Sequence, residues 1–255
     1  MTIFILGPCG IDDRDTYIKT GKILSKVMQG QEWYFKASFD KANRTSLSGS
    51  RAIGLEQAIP IFKEIKELIP NIKLVTDVHE VGQLPSLYPY IDIIQIPAFL
   101  SRQTDLVVES AKLFDTVFLK KGQWCSEYEA ESIGNKIKET NENTQAWLCE
   151  RGSSFGNVKL IVDFSIVDKI KNGVWDKFIL DCSHTTHKSR DVFGVQGDVN
   201  LSKRFFLSSE IMGYDGSFLE IHPNPELSAS DKTSQLTPQE FSSIFNKYQN
   251  ISKAL

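Results

Sequence analysis

The chain has 255 residues, 29 of them basic and 32 acidic for a net charge of −3, and 41% are hydrophobic. That length matches one (β/α)8 barrel, and nothing in the composition calls for a second unit, so residues 1–255 read as a single domain. The near-balanced charge, with no block of one sign, excludes an extended nucleic-acid or anionic-membrane surface and favours a small polar substrate.

No run of about 18 apolar residues occurs, and no basic segment precedes an apolar one at the start. Neither a membrane span nor a signal peptide is therefore expected, and the protein is placed in the cytoplasm. Cys9, Cys125, Cys149 and Cys182 form no CxxC pair, which argues against a disulfide framework or a zinc knuckle.

In chain order, short β-rich apolar runs alternate with longer amphipathic stretches, as when parallel strands are joined by crossover helices. The predicted strands cover residues 3–8, 33–39, 73–79, 91–97, 116–121, 146–150, 177–182 and 217–221, each followed by a helical segment. This is the pattern of a single (β/α)8 barrel. The clearest helix spans Leu55–Leu68: Leu55, Ala58, Ile59, Phe62, Ile65 and Ile69 recur at helical spacing, while Lys63, Glu64, Lys66 and Glu67 fill the other face. The last helix opens on Thr237-Pro238-Gln239-Glu240, an N-cap threonine, a proline at the first helical position and a capping-box glutamate.

Several predicted strands end in polar residues, which a packed interior would not choose without a reason. In such a barrel the carboxyl ends of all strands open onto one face, so these residues can converge there. The second run reads Lys36-Ala37-Ser38-Phe39-Asp40-Lys41-Ala42-Asn43-Arg44-Thr45-Ser46, and the two-residue period puts Lys36 and Ser38 on one face. The third ends Thr76-Asp77-Val78-His79-Glu80, the fourth carries Gln95, the fifth ends Lys120-Lys121 and the sixth Glu150-Arg151. Sharing the parity of Val117 and Leu119, Lys121 is expected to face the mouth and Lys120 the solvent. Lys36, Lys41, Arg44, Lys121 and Arg151 would then form a basic cluster suited to phosphate and carboxylate groups.

Four residues of metal-ligand type also fall at or just past strand ends: Cys9, His184, Glu220 and Asp231. A mixed sulfur, nitrogen and oxygen set suits a divalent zinc, ferrous iron or manganese ion. His187 and His222 are alternatives to His184, and His222 shares strand parity with Glu220. Cys125, Cys149 and Cys182 read as packing residues. Trp33, Trp147 and Trp175 read as core or interface aromatics, and Trp124 is the tryptophan nearest the mouth.

The Lys36–Arg44 and Thr76–Glu80 runs, Gln95-Ile96-Pro97-Ala98-Phe99-Leu100 with Arg102-Gln103-Thr104-Asp105, and Glu150-Arg151-Gly152 followed by Phe155-Gly156 carry a resemblance. The chain resembles the 3-deoxy-D-manno-octulosonate 8-phosphate synthases nearly throughout, above all in its Lys-Ala-Asn-Arg run, where related heptulosonate phosphate synthases carry Lys-Pro-Arg. The resemblance implies a (β/α)8 barrel, usually a homotetramer, that joins phosphoenolpyruvate to arabinose 5-phosphate and releases phosphate. Cys9, where the metal-independent branch has asparagine, is similar to the metal-dependent branch. By the same resemblance Lys36, Ser38, Lys41, Gln95, Lys121 and Arg151 hold phosphoenolpyruvate. Asn43, Arg44, Thr45 and Ser46 hold the aldose, with Arg44 at its phosphate, and Cys9, His184, Glu220 and Asp231 hold the metal. Asp77 and His79 are candidates for hydrogen bonding or proton transfer.

Three segments depart from the family pattern. Asp-Gly-Pro is here Asp231-Lys232-Thr233, and Arg-Gly-Pro-Gly-Leu-Glu is Arg51-Ala52-Ile53-Gly54-Leu55-Glu56. Gly-Gly-x-Arg has no clear counterpart within Val195-Gln196-Gly197-Asp198-Val199-Asn200. Loss of glycine changes the backbone conformations those loops can reach. Within the enzyme class the alternative is a paralogue that uses another aldose or aldose phosphate. Outside the main reading stand a sugar-phosphate-binding barrel without turnover and a Schiff-base aldolase using Lys36 or Lys121.

Overall fold

Buried runs such as Ile3-Phe4-Ile5-Leu6 and Ile93-Ile94-Gln95-Ile96, apolar on both faces, are what a parallel strand needs when its sheet is covered on both sides. In the computed structural model of the chain, eight such strands close into a parallel barrel. The structure describes every residue except 1, 45, 46, 48, 155–158, 192 and 193, and only the backbone of 189–191, 194 and 195.

The elements follow in the order β1 (Ile3–Gly7), α1 (Arg14–Val27), β2 (Trp33–Lys36), α2 (Leu55–Leu68), β3 (Leu74–Asp77), α3 (Leu84–Leu87), β4 (Ile93–Ile96), α4 (Thr104–Leu113) and β5 (Thr116–Lys120). They continue with α5 (Glu127–Thr140), β6 (Gln145–Glu150), α6 (Val167–Lys171), β7 (Lys177–Asp181), β8 (Lys188–Asp191), β9 (Gly194–Gln196), α7 (Val199–Ile211), β10 (Gly216–Glu220) and α8 (Pro238–Ser252). The barrel order is β1-β10-β7-β6-β5-β4-β3-β2, and β1 closes it by pairing in parallel with both β10 and β2. Each predicted strand is present, and all but β6, which ends on Glu150 as expected, stop one to three residues short of the predicted carboxyl end, where the chain turns toward the mouth.

Three features differ from the sequence expectation. The helices after β3 and β6 are stubs of 4 and 5 residues. The connection after β7 holds an antiparallel hairpin, β8 with β9, that no apolar alternation announced. By contrast α2 matches its predicted span, and α8 starts on the expected capping box, with Thr237 Oγ1 accepting from the Glu240 amide while the Glu240 carboxylate accepts from the Thr237 amide.

The core has two compartments. A larger one lies between strands and helices and includes Leu6, Phe35, Val117 and Leu119. A smaller one fills the barrel axis with Ile3, Ile5, Tyr34, Val75, Ile93, Phe118, Trp147, Cys149, Ile179 and Phe218. The second set fixes which residues point inward, and two residues further along six of the eight strands the axis becomes polar: Lys36, Asp77, Gln95, Lys120, Asp181 and Glu220.

Candidate active site

The polar layer floors a cavity of about 730 Å³ at the carboxyl ends of the strands. Seven cationic side chains line it (Lys36, Lys41, Arg44, Lys120, Arg151, Lys159 and Lys188) against four carboxylates, Asp40, Asp77, Asp181 and Asp231. Among the described residues only Lys36 and Lys120 of these cations have a carboxylate within ion-pair reach. The cavity is therefore a positive well in a protein of net negative charge, the electrostatic setting for an anionic substrate.

On the β2–β4 side, Lys36 Nζ donates to Ser38 Oγ at 2.9 Å and lies 3.5 Å from Asp77. Ser38 Oγ donates to Asp77 Oδ2 at 2.7 Å, Gln95 Nε2 donates to the other Asp77 oxygen, and Lys41 Nζ reaches Ser38 Oγ at 3.3 Å. Burial alone would raise the Asp77 carboxyl, but Lys36, Lys41 and the Ser38 hydroxyl hold it down at about 2. Asp77 is thus a fixed negative strut for two lysines. His79 lines the same wall, with Nδ1 buried and without a hydrogen-bond partner among the described residues, and burial lowers its pKa, which favours the neutral ring.

Across the axis, Lys120 corrects the sequence expectation. It is buried, shares the inward face of Phe118, donates to Asp181 Oδ2 at 2.6 Å and sits over the Phe218 ring at 3.2 Å from the centroid. Lys121, with the parity of Val117 and Leu119, points instead toward the helix layer. It does not line the cavity, and it lies 3.4 Å from Glu150 and 3.3 Å from Ser153 Oγ. Apolar residues occupy both faces of a covered barrel strand, so Val117 and Leu119 could not say which face was the axis. Asp181, which the sequence reading did not select, joins the two halves of the site. It accepts from Lys120, from the Ser183 and His184 amides and, at 2.8 Å, from His184 Nδ1. Burial would raise its pKa; His184 and Lys120 keep it well below the usual carboxylate range.

Because Asp181 is a pure acceptor, His184 Nδ1 carries the proton and Nε2 presents a lone pair. That nitrogen faces Glu220 Oε1 at 3.4 Å and Asp231 Oδ2 at 3.9 Å. Ligand atoms of Cys9, Glu220 and Asp231 lie within 4.8 Å of one another. Cys9 Sγ donates to Asp231 Oδ2 and accepts from Ser230 Oγ, each at 2.9 Å, and burial, reinforced by Asp231 and Glu220, pushes the thiol pKa up. Glu220 is fully buried, yet neither of its carboxylate oxygens has a hydrogen-bond partner among the described residues. A buried carboxylate without a hydrogen-bond partner, beside a thiol and an imidazole lone pair, is a donor set that fits a divalent cation. Of the alternative histidines, His187 lies 3.7 Å from Asp231 at the edge of the group, whereas His222 is turned away toward Asp12 at 3.8 Å.

The remaining predicted residues lie around the rim. Arg151 lines the cavity, and its Nη1 is buried without a hydrogen-bond partner among the described residues. Asn43 and Arg44 line the cavity too, but Arg44 Nε donates to the Ser50 carbonyl at 2.7 Å and Nη2 to that of Ala229 at 3.5 Å, so much of its guanidinium ties two loops together. Thr45, Ser46, Phe155 and Gly156 lie outside the described residues. Trp124 meets exposed Phe99 at the rim, ring centroids 5.9 Å apart.

The family model described as the DAHP synthetase I family matches residues 1–255. A 2-dehydro-3-deoxyphosphooctonate aldolase of Wolinella succinogenes is 36% identical over 250 residues, covering 93% of this chain and 94% of that protein. The proteins of the same name from Pasteurella multocida and Bartonella bacilliformis are 39% and 37% identical, each covering 89% of this chain and 80% of the relative.

Proposed function

The chain belongs to the DAHP synthetase I family, and from that premise we propose that it condenses phosphoenolpyruvate with arabinose 5-phosphate and water, giving 3-deoxy-D-manno-octulosonate 8-phosphate and inorganic phosphate. One observation carries the reading: a cavity whose cations outnumber its carboxylates opens directly beside a Cys9–Glu220–Asp231 group whose buried glutamate has no hydrogen-bond partner among the described residues. Binding of anions alone would need the first and not the second.

Lys36, Lys120 and Arg151 take the carboxylate and phosphate of phosphoenolpyruvate, Lys and Arg acting as charge-assisted donors. Ser38 and Gln95, through Asp77, keep Lys36 aimed inward. Lys41 reaches the same Ser38 from the loop that carries Asn43 and Arg44, which face the acceptor. So oriented, the enol carbon of phosphoenolpyruvate forms a bond to the aldehyde carbon, whose oxygen becomes a hydroxyl by gaining a proton. Water adds to the adjacent cationic carbon, and phosphate leaves it as the ketone forms. His79, its neutral form favoured and its Nδ1 without a hydrogen-bond partner among the described residues, is placed to carry a proton, whereas Asp77, ionised far below neutrality, positions.

Cys9, His184, Glu220 and Asp231 would hold a zinc, ferrous or manganese ion. When bound, such an ion supplies positive charge that polarises a carbonyl or a water. Asp181 fixes the His184 tautomer for that role. We also place the protein in the cytoplasm, in keeping with its four free cysteines, and, by its resemblance to the octulosonate phosphate synthases, as a homotetramer.

The test is phosphate release from phosphoenolpyruvate against a panel of aldoses and aldose phosphates, with and without chelator. Release that requires arabinose 5-phosphate and is lost on chelation supports both halves of the proposal. Release only with a different acceptor moves the substrate assignment, and release untouched by exhaustive chelation removes the metal.

A further inference from the structure

Cys9, the sulfur ligand of the metal group proposed above, meets two consecutive side chains of the loop after β10. Ser230 Oγ donates to Cys9 Sγ, and Sγ donates to Asp231 Oδ2, each at 2.9 Å. In an extended chain neighbouring side chains point to opposite faces. Here Asp231 takes a left-handed φ of 51, and both side chains reach one atom. A residue with a Cβ holds such a conformation when its surroundings fix it. Buried Gln235 supplies that restraint: its Oε1 accepts from the Cys9 amide at 3.2 Å, while its Nε2 donates to the Ser230 carbonyl and to Ser228 Oγ, each at 2.8 Å. One side-chain amide thus pins the backbones of Cys9 and Ser230, and the Ser230 hydroxyl closes the ring on the sulfur. Beyond Asp231, Lys232 Nζ donates to the Glu226 carbonyl and Thr233 Oγ1 accepts from the Gly197 amide, both at 2.7 Å. The two residues that replace Gly-Pro of the family pattern therefore tie the loop on its other side.

A cysteine ligates a metal as the thiolate, a form that accepts hydrogen bonds and donates none. The contact from Ser230 runs toward the sulfur, the direction that suits a ligating cysteine. Ser230 is buried, so little water competes for either partner. A hydroxyl bonded to a ligating sulfur does two things: it fixes where the sulfur lone pairs point, and it draws electron density away from them. Resting on the reading that Cys9 is a metal ligand, we propose that Ser230 is a positioning residue of the metal group, whose hydroxyl aims the sulfur and sets how tightly a divalent ion is held.

The probe is cobalt(II) alone, titrated into the metal-stripped full chain in competition with a chromophoric chelator. Relative to the parent, S230A should bind cobalt about ten- to hundredfold more weakly. Its sulfur-to-cobalt charge-transfer band should also move to longer wavelength, because a sulfur without that donor gives up an electron more easily. S230T, which keeps the hydroxyl, should match the parent in both. A purely structural role could weaken binding but would not move the band. The parent supplies a measurement that depends on no variant: the cobalt–sulfur stretch in its resonance Raman spectrum should shift in deuterium oxide, since the hydroxyl proton exchanges. Parental affinity in S230A, an unmoved band, or a stretch indifferent to deuterium overturns the role of Ser230 and leaves the metal reading standing. If the parent takes up no cobalt, or takes it up without a sulfur band, the assignment of Cys9 as a ligand fails and the role of Ser230 fails with it.

Discussion

Replacing Lys120 with methionine removes one ammonium from a carboxylate that has no exposure to water, while the thioether chain can still cover the Phe218 ring. Breaking a buried ion pair by deleting one partner costs ~3–5 kcal/mol. Asp181 keeps three of its four donors, the Ser183 and His184 amides and the His184 ring, which puts the cost at the lower end of that range. At about 2–4 °C per kcal/mol for a chain of this size, a loss of about 3 kcal/mol lowers Tm by about 6–12 °C in a calorimetric melt. The same substitution deletes a charged hydrogen-bond donor to phosphoenolpyruvate worth about 1.5–3 kcal/mol, so its KM should rise about ten- to hundredfold. A double-mutant cycle with Asp181→Asn isolates the pair, and a coupling of at least about 1 kcal/mol is expected. Single-variant costs that simply add, or a melt unmoved by K120M, would refute the description of Lys120 as an inward, paired cation.

Asp77 predicts an acid limb of stability. Its folded pKa of about 2 lies below the unfolded value of 3.8, so its contribution of about 2 kcal/mol is complete above pH 4 and lost as pH falls toward 2. Urea midpoints measured from pH 5 to 2.5 should show that slope, and D77N should flatten it. Ala52 sits at φ 60, a left-handed conformation that costs a side-chain-bearing residue about 1 kcal/mol; A52G should therefore raise the urea midpoint, and a lowered midpoint would count against strain there. Cys9→Ala should leave protein purified from metal-supplemented medium without bound metal by elemental analysis, and full stoichiometry in that variant would remove the thiol from the ligand set.

Strand positions were legible because runs such as Thr116–Lys120 have no helical periodicity and are bounded by turn residues. The cationic character of the mouth was legible too, since Lys36 and Ser38 alternate against Phe35 and Ala37, and Phe35 and Ala37 lie in the outer core. That contrast fails on β5, where Phe118 and Val117 are equally apolar, and there the wrong lysine was assigned to the mouth. Asp181 was hidden for a related reason: a lone aspartate after Phe178-Ile179-Leu180 reads as a strand end until Lys120 is seen to cross the axis to meet it. The β8–β9 hairpin is held by backbone pairing in a polar segment, a cause that leaves no mark in residue type. The meeting of Cys9, Glu220 and Asp231 depends on closure of the barrel, which brings the first and last strands side by side, and pattern alone could suggest that closure but not measure it.

That closure has a mechanical consequence. Gly7 pairs with Glu220 across the β1–β10 seam, and Cys9 touches Asp231 only 222 positions later in the chain. Any bond across this group ties one end of the polypeptide to the other, closing a loop nearly as long as the molecule, which is where a cross-link restricts the unfolded chain most. An ion seated there would work as a buckle, and stripping it would leave the staves of the barrel to part first along the line where they were last joined.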